Sequence, residues 1–195
     1  EKIKKKNFFL LPIIYETSFK QKNRKFDFLL VGKLYPKKNF KLFLKALSLS
    51  KEKFYTKLVM EVSNNGHKKE FGDLLKLIKL YNLTKYIDYS INVDHKKIYK
   101  YYDNSKCFVL ATDGDLAPVS IIEALSRGCY VLASDTCGTK NYIDIKNNGF
   151  IFKTNNVKSL INHIVKISKI FNKKINTYNY DETFFINNFN KILKK

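Results

Sequence analysis

The chain has 195 residues, of which 45% are hydrophobic and 28% are charged, and its formal net charge is +20. This apolar content excludes a disordered chain, because so many hydrophobic residues can bury a sizeable core. No apolar run reaches about 18 residues, so the sequence predicts no transmembrane helix. The opening EKIKKKNFFLLPII lacks the long apolar stretch and the small-residue cleavage site of a signal peptide.

The sequence predicts strands and helices in alternation along most of the chain. The predicted strands are residues 26–34, 55–63, 85–93, 107–112, 129–135 and 149–153. The predicted helices are residues 39–50, 69–83, 95–104, 118–127, 138–145, 157–171 and 182–195. Several strands are continuously apolar, which indicates a sheet covered on both faces. The alternation predicts an α/β fold, a Rossmann-like doubly wound parallel sheet of about six strands with helices on both faces.

The positive charge suits three classes of partner: nucleic acid, an anionic membrane surface and a phosphate-bearing ligand. Genome composition is a further explanation, since Lys, Asn, Ile, Phe and Tyr are all abundant and all have AT-rich codons. The lysines are spread along the whole chain, whereas nucleic-acid binding favours a clustered stripe with interleaved aromatic residues. Nucleic acid is therefore the least favoured of these partners.

Cys107, Cys129 and Cys137 form an odd set of cysteines without a CxxC pair. This pattern is typical of free thiols in a reducing cytosol, so we expect a cytoplasmic protein with three small, buried thiols. The sequence contains no cluster of residues at metal-ligand spacing, and we expect no metal site.

In parallel sheets of this kind, ligands bind in the loops that follow the carboxyl ends of the strands. These loops are residues 32–39, 63–69, 112–118 and 134–139. His67 lies in the second loop and is a candidate for ligand contact. We assign no ligand role to His95, which follows the predicted helix cap Asp94, or to His163, which lies inside a predicted helix.

The first loop, GKLYPKKN, carries two lysines close to the start of a helix. Lys33 ends a strand and Lys38 lies five residues later, where free N–H groups and the helix dipole attract an anion. A diphosphate suits such a site, and a solvated basic turn is the alternative. The sequence contains neither a Walker A motif nor GxGxxG, so a P-loop or nicotinamide site has no support.

The stretch TDGDLAPVSIIEALSRG, residues 112–128, places two acids in an apolar setting. Asp115 precedes a helix that begins near Pro118, and Glu123 lies inside that helix among apolar residues. A buried carboxylate must accept hydrogen bonds, and a pair of sugar or ribose hydroxyls would donate them. The alternative is structural, with Asp115 capping the helix and Glu123 pairing with Arg127, four residues on.

Together these motifs resemble the C-terminal, donor-binding half of the retaining GT-B glycosyltransferases of group 1, also called family four. That family has a Gly-Arg-Leu turn with a Lys five residues after the Arg, and GKLYPKK has Lys33 in place of the Arg. Its two glutamates, separated by seven residues, correspond to Asp115 and Glu123 in DLAPVSIIEA. SRGCYVLASDTCGTKNYI and NNGFIF resemble its later motifs, so the resemblance covers roughly residues 26–170 in order.

The resemblance implies a retaining glycosyltransferase that moves a hexose-like unit from a UDP-, GDP- or ADP-linked sugar to an acceptor hydroxyl. It assigns the diphosphate to Lys33 and Lys38, whose charge would also stabilise the leaving group. Glu123 would bind the ribose hydroxyls, and Asp115 would bind the transferred sugar. The other implied donor contacts are Gly32 and the backbone N–H groups of Leu116, Ala117 and Val119.

The resemblance also implies partners and a location. The acceptor would be a saccharide or a lipid-linked molecule, in the synthesis of surface polysaccharide, lipopolysaccharide or glycolipid. The enzyme would be cytoplasmic, with its positive charge docking it peripherally on the inner face of a membrane. The family needs no metal, and no cofactor is implied. The alternative function is a non-catalytic basic α/β module that binds nucleotides or nucleic acid.

Three segments follow from the resemblance. Residues 1–25 would be a lead-in segment, formed by the end of an N-terminal domain and its linker. Residues 26–172 would form the nucleotide-sugar-binding domain, and residues 173–195 a C-terminal helix that packs back toward the missing domain. Because that domain would bind the acceptor and supply further catalytic groups, we expect this chain alone to transfer little.

Overall fold

The computed structural model describes residues 23–145 and 147–171, and within them six strands form one sheet. The strands are β1 Phe26–Lys33, β2 Thr56–Glu61, β3 Ile87–Ile91, β4 Ser105–Leu110, β5 Tyr130–Ser134 and β6 Gly149–Phe152. The α-helices are α1 Phe40–Leu49, α2 Asn65–Leu80, α3 His95–Asp103, α4 Val119–Ser126 and α5 Val157–Ser168. The predicted α/β fold, a Rossmann-like sheet, is confirmed.

The strand order is β3-β2-β1-β4-β5-β6, and every neighbouring pair is parallel. The first strand, β1, lies near the centre of the sheet. The next two strands are added on one side as far as the β3 edge, and β4, β5 and β6 are then added on the other side. Because β1 and β4 lie side by side at this reversal, their following loops diverge and leave a crevice at the carboxyl ends of the strands. This crevice is where a doubly wound sheet holds its ligand.

Helices cover both faces of the sheet, as the continuously apolar strands indicated. α1, α2 and α5 pack on one face through side chains such as Phe43, Leu74 and Ile164. α3 and α4 pack on the other face, where Tyr102 and Ile121 are fully buried. Each such side chain contributes about 1.5–3 kcal/mol when it is withdrawn from water, so the two apolar layers hold the sheet rigid beneath the crevice.

The three cysteines are free and buried, as predicted. Burial raises the pKa of Cys129 to about 11 and also raises the pKa of Cys107 and Cys137. These thiols therefore stay protonated at neutral pH and pack as small apolar side chains.

Two predicted helices differ from the observed ones. α2 begins at Asn65, earlier than the predicted residue 69, because the Asn64 side chain accepts a hydrogen bond from His67 N at 2.8 Å and caps the helix there. The helix predicted at residues 138–145 is reduced to one 3₁₀ turn, Lys140–Tyr142.

Some predictions fall on the ends of the chain. Residues 1–22 of the predicted lead-in segment lie outside the described residues, and so do residues 173–195 with their predicted terminal helix. In the part of the chain that the structure describes, no helix combines the length and the apolarity that a membrane span requires.

Candidate functional site

A cleft of about 520 Å³ opens at the carboxyl ends of β1 and β2. Its other walls are the loop after β3, the first turns of α3 and the segment that leads into α4. A concave space of several hundred Å³, with apolar walls and a few convergent polar groups, is typical of a small-molecule site. The crevice expected from the strand order is therefore large enough to hold a small ligand.

The two lysines of the first loop both line this cleft, but different elements position them. Lys33 is the last residue of β1, and its Nζ lies 3.5 Å from Glu61 Oε1 at the end of the neighbouring β2. A 3₁₀ turn, Pro36–Lys38, then folds the chain back, and Pro36 favours it by fixing φ at its start. The turn brings the Lys38 side chain over Gly32, whose Cβ position would lie 3.6 Å from Lys38 Cε.

Lys38 forms an ion pair with Asp115 across the cleft. Its Nζ donates to Asp115 Oδ2 at 2.5 Å, and the two side chains are only 13% and 21% exposed. A charged hydrogen bond that is shielded from water is stronger than an exposed ion pair. Asp115 does not cap α4, because the helix begins at Val119 after Pro118 and has no side-chain cap. The alternative assignment of Asp115 as a helix cap is therefore wrong.

Two hydrogen bonds to a backbone carbonyl also tie the loop after β1 to the loop after β4. Asp113 N donates to Lys37 O at 2.8 Å, and Thr112 Oγ1 donates to the same oxygen at 3.2 Å. Gly114 follows with a φ of +80°, a conformation that glycine adopts without steric cost. The two loops are thus positioned by main-chain contacts as well as by the ion pair.

The loop after β5 packs against the loop after β4, which carries Asp115. Gly138 N donates to Asp115 O at 2.9 Å, and a Cβ at Gly138 would lie 1.7 Å from Leu116 O. Only glycine allows this approach. The predicted donor contacts Ala117 and Val119 line the cleft, whereas Leu116 is 86% exposed and is not among the lining residues.

Glu123 lines the cleft from α4, and the residue is only 6% exposed. Tyr102 Oη, from α3, donates to Glu123 Oε2 at 3.0 Å, and His95 Nε2 lies 3.4 Å from Oε1. Arg127 instead lies near the end of α3, with its Nη1 3.7 Å from Asp103 Oδ1. The alternative pairing of Glu123 with Arg127 is therefore wrong, because both side chains take partners from α3 rather than from each other.

His95 lines the cleft, although the sequence analysis assigned it no ligand role. It is the first residue of α3, and the preceding Asp94 caps that helix by accepting a hydrogen bond from Lys96 N at 2.8 Å. The cap holds the start of α3 so that the His95 side chain, which is 70% exposed, lines the cleft beside Glu123. The sequence signal was its position just after a strand at the carboxyl edge of the sheet.

The other two histidines contact residues that are close to them in the chain. His67 Nδ1 lies 3.2 Å from Ser63 Oγ at the start of α2, and His67 is not among the residues that line the cleft. His163 Nδ1 lies 2.8 Å from Ser159 O on α5. Among the described residues, no group of three or more His, Cys, Asp or Glu is arranged to hold a metal ion.

Comparison with known proteins places this geometry among glycosyltransferases. The family model described as glycosyl transferases group 1 matches residues 14–181 of the chain. A relative from Haemophilus influenzae, described as an uncharacterized glycosyltransferase, is 25% identical over 132 residues, which make up 67% of this chain and 36% of that protein. The chain therefore spans little more than a third of this relative.

Two solved structures illustrate the shared fold. HepE from Anabaena, in complex with UDP-glucose, has a TM-score of 0.71 and 16% identity over 89% of this chain and 48% of HepE. The C-terminal domain of LpcC from Francisella tularensis, a glycosyl transferase group 1 family protein, has a TM-score of 0.68 and 17% identity. That match covers 79% of this chain and 82% of the domain.

Proposed function

The chain belongs to the glycosyl transferases group 1, and from this membership we propose that its cleft binds a nucleoside-diphosphate sugar, the donor of glycosyl transfer. The reaction is the transfer of a hexose-like unit to an acceptor hydroxyl, with retention of configuration and without a metal ion. The observation that carries the proposal is that Lys33, Lys38, Asp115 and Glu123 all line one cleft.

The donor diphosphate lies against Lys33 and Lys38 in this proposal. The first turn of α4 opens on the same cleft, and its unpaired N–H groups and dipole add a further attraction for anions. When the sugar leaves, negative charge grows on the diphosphate, and the two cations stabilise it. Lys38 keeps its contact with Asp115 meanwhile, because an ammonium group has three N–H donors.

The two acids bind the two sugars of the donor. Glu123 accepts hydrogen bonds from the ribose hydroxyls, since a carboxylate has about four acceptor sites, of which Tyr102 uses one and His95 faces another. Asp115 binds the transferred sugar from its position between Lys38 and the start of α4. Because Asp is one methylene shorter than the Glu usual in the family, the sugar must lie closer to the backbone of this loop.

The donor base is proposed from the structural neighbour. HepE was solved with UDP-glucose, which makes UDP the first nucleotide to test, followed by GDP and ADP. The acceptor, a saccharide or lipid-linked molecule in surface polysaccharide, lipopolysaccharide or glycolipid synthesis, is proposed on family membership alone.

The proposal is tested by measuring the melting temperature of the chain with UDP, GDP, ADP and their sugar conjugates at millimolar concentration. We expect one nucleoside diphosphate to raise the melting temperature, because a ligand at 100 times its Kd stabilises the folded state by about 2.7 kcal/mol. The Glu123→Ala variant should lose the shift. The matched control Glu52→Ala, an exposed acid outside the cleft, should keep it.

Two results would contradict this function. If no nucleotide shifts the melting curve, the donor site is wrong, and a normal shift in Glu123→Ala would return Glu123 to a purely structural role. The alternative, a nucleic-acid-binding module, predicts affinity for oligonucleotides that falls steeply and log-linearly with salt. A nucleoside diphosphate held by specific hydrogen bonds should lose less affinity over the same salt range.

A further inference from the structure

The Glu123 carboxylate has a different partner on each of its oxygens. Tyr102, which contacts Oε2, is fully buried, so this side of the carboxylate is anchored in the core between α3 and α4. His95, which contacts Oε1, is 70% exposed and belongs to the wall of the cleft. Glu123 Oε1 therefore lies beside a residue of the cleft wall, whereas Oε2 lies beside a residue of the core.

The imidazole of His95 has a defined position although it is exposed. Asp94 fixes the start of α3, and the ring packs edge-on against Tyr99 one turn later, with ring centroids 6.1 Å apart. The Nε2 atom of the same ring contacts Glu123 Oε1. A ligand that reaches Glu123 must consequently lie against this imidazole.

The tautomer of His95 determines what it offers to a ligand. A neutral imidazole has one N–H donor and one acceptor nitrogen. Nε2 faces Glu123 Oε1 at 3.4 Å, and in the tautomer with the hydrogen on Nε2 the other ring nitrogen, Nδ1, is an acceptor. His95 and Glu123 then present two acceptors from adjoining walls of the cleft, and a vicinal diol is the complementary pair of donors.

We propose that His95 is a specificity-determining residue that reads the ribose of the donor together with Glu123. The ribose 3′-hydroxyl donates to the carboxylate and the 2′-hydroxyl donates to the imidazole. The inference rests on the proposed function, because it takes the ligand to be a nucleoside diphosphate. It adds that the cleft selects ribose over 2′-deoxyribose and that His95 is a source of this selectivity.

The experiment is isothermal titration calorimetry of the chain with UDP, GDP and ADP and with dUDP, dGDP and dADP. We expect the preferred ribonucleotide to bind the unsubstituted chain about tenfold more tightly than its 2′-deoxy form, as expected for one lost hydrogen bond. His95→Ala should weaken the ribonucleotide by about tenfold and the deoxynucleotide by less than about twofold. Lys97→Ala, an exposed residue of the same helical turn, should change neither affinity.

Each other outcome contradicts a defined part of the proposal. If His95→Ala weakens both nucleotides equally, or if the unsubstituted chain binds both equally, the ribose role of His95 is overturned while the donor site stands. If no nucleotide binds the unsubstituted chain, the proposed function itself is wrong. The His95 side chain is 70% exposed, so its removal should leave the melting temperature of the free chain unchanged.

Discussion

Lys33 and Lys38 are the same residue type in one loop, but they stand in different electrostatic environments. The Lys33 side chain is 62% exposed and its partner Glu61 is 44% exposed, so water and salt weaken that pair. Lys38 is only 13% exposed and contacts Asp115 directly. Of the two cations, we therefore expect Lys38 to have the larger effect on an anion that enters the cleft.

Substitution of Lys38 should weaken nucleotide binding selectively. We expect Lys38→Ala to lower the affinity for a nucleoside diphosphate by at least about tenfold, because a shielded charge-assisted hydrogen bond is lost. Lys37→Ala removes the same charge from an exposed position of the same turn and should lower the affinity by less than about twofold. Calorimetric titration measures both, and equal losses would indicate a non-specific effect of net charge.

At the scale of elements, the candidate site is formed by several loops that contact each other, and not by one helix alone. The loops after β1 and β4 are joined by the hydrogen bonds of Asp113 and Thr112 to Lys37 O, and the loop after β5 packs behind them through Gly138. These loops belong to three adjacent strands at the centre of the sheet. A change in the loop after β5 should therefore disturb Asp115 in the loop after β4.

The Gly138→Ala substitution tests this packing. Its Cβ would meet Leu116 O, so the loops must separate, and we expect the free energy of unfolding to fall by about 1–3 kcal/mol together with a loss of nucleotide affinity. Gly72→Ala is the matched control, since no atom lies within 4 Å of its Cβ position in α2. Because alanine favours a helix more than glycine does, Gly72→Ala should raise the free energy of unfolding by about 0.5–1 kcal/mol. Urea denaturation measures both, and an unchanged Gly138→Ala variant would contradict the argument.

At the scale of the whole molecule, the net charge is +20, and part of it lies on each face of the sheet. Exposed lysines lie on helices of both faces of the sheet, for example Lys68 on α2, Lys97 on α3 and Lys158 on α5. Such a distribution creates a general positive field and does not define a single binding face. It suits weak attraction to any anionic surface better than recognition of one partner.

Sedimentation with vesicles tests the proposed peripheral docking on a membrane. We expect the chain to bind vesicles that contain anionic lipid and to dissociate as the Debye length falls from about 30 Å at 0.01 M salt to about 8 Å at 0.15 M. Vesicles of neutral lipid are the control. Absence of binding, or equal binding to neutral vesicles, would leave the charge as a consequence of genome composition.

The sequence by itself determined the sheet and the edge at which the candidate cleft lies. Each predicted strand between residues 26 and 153 overlaps an observed strand. In β2, β4 and β5 the reason is that burial on both faces demands mostly apolar runs, whereas the edge strand β3 has no buried residue. Since parallel strands point the same way, the loops that carry Lys33, Lys38 and Asp115 had to lie at one edge. Rules that consider only neighbouring residues failed for Asp115 and Glu123, whose partners are distant in the chain.

Only the tertiary structure decided which side chains meet. Lys38 and Asp115 are 77 residues apart, and Tyr102 and Glu123 are 21 residues apart, so each pair depends on the strand order and on the packing of α3 against α4. Helix-cap and i,i+4 rules consider only sequence neighbours, and they assigned the two acids to the wrong partners. The place of His95 beside Glu123 was hidden for the same physical reason, because contact energy depends on distance in space and sequence spacing measures only distance along the chain.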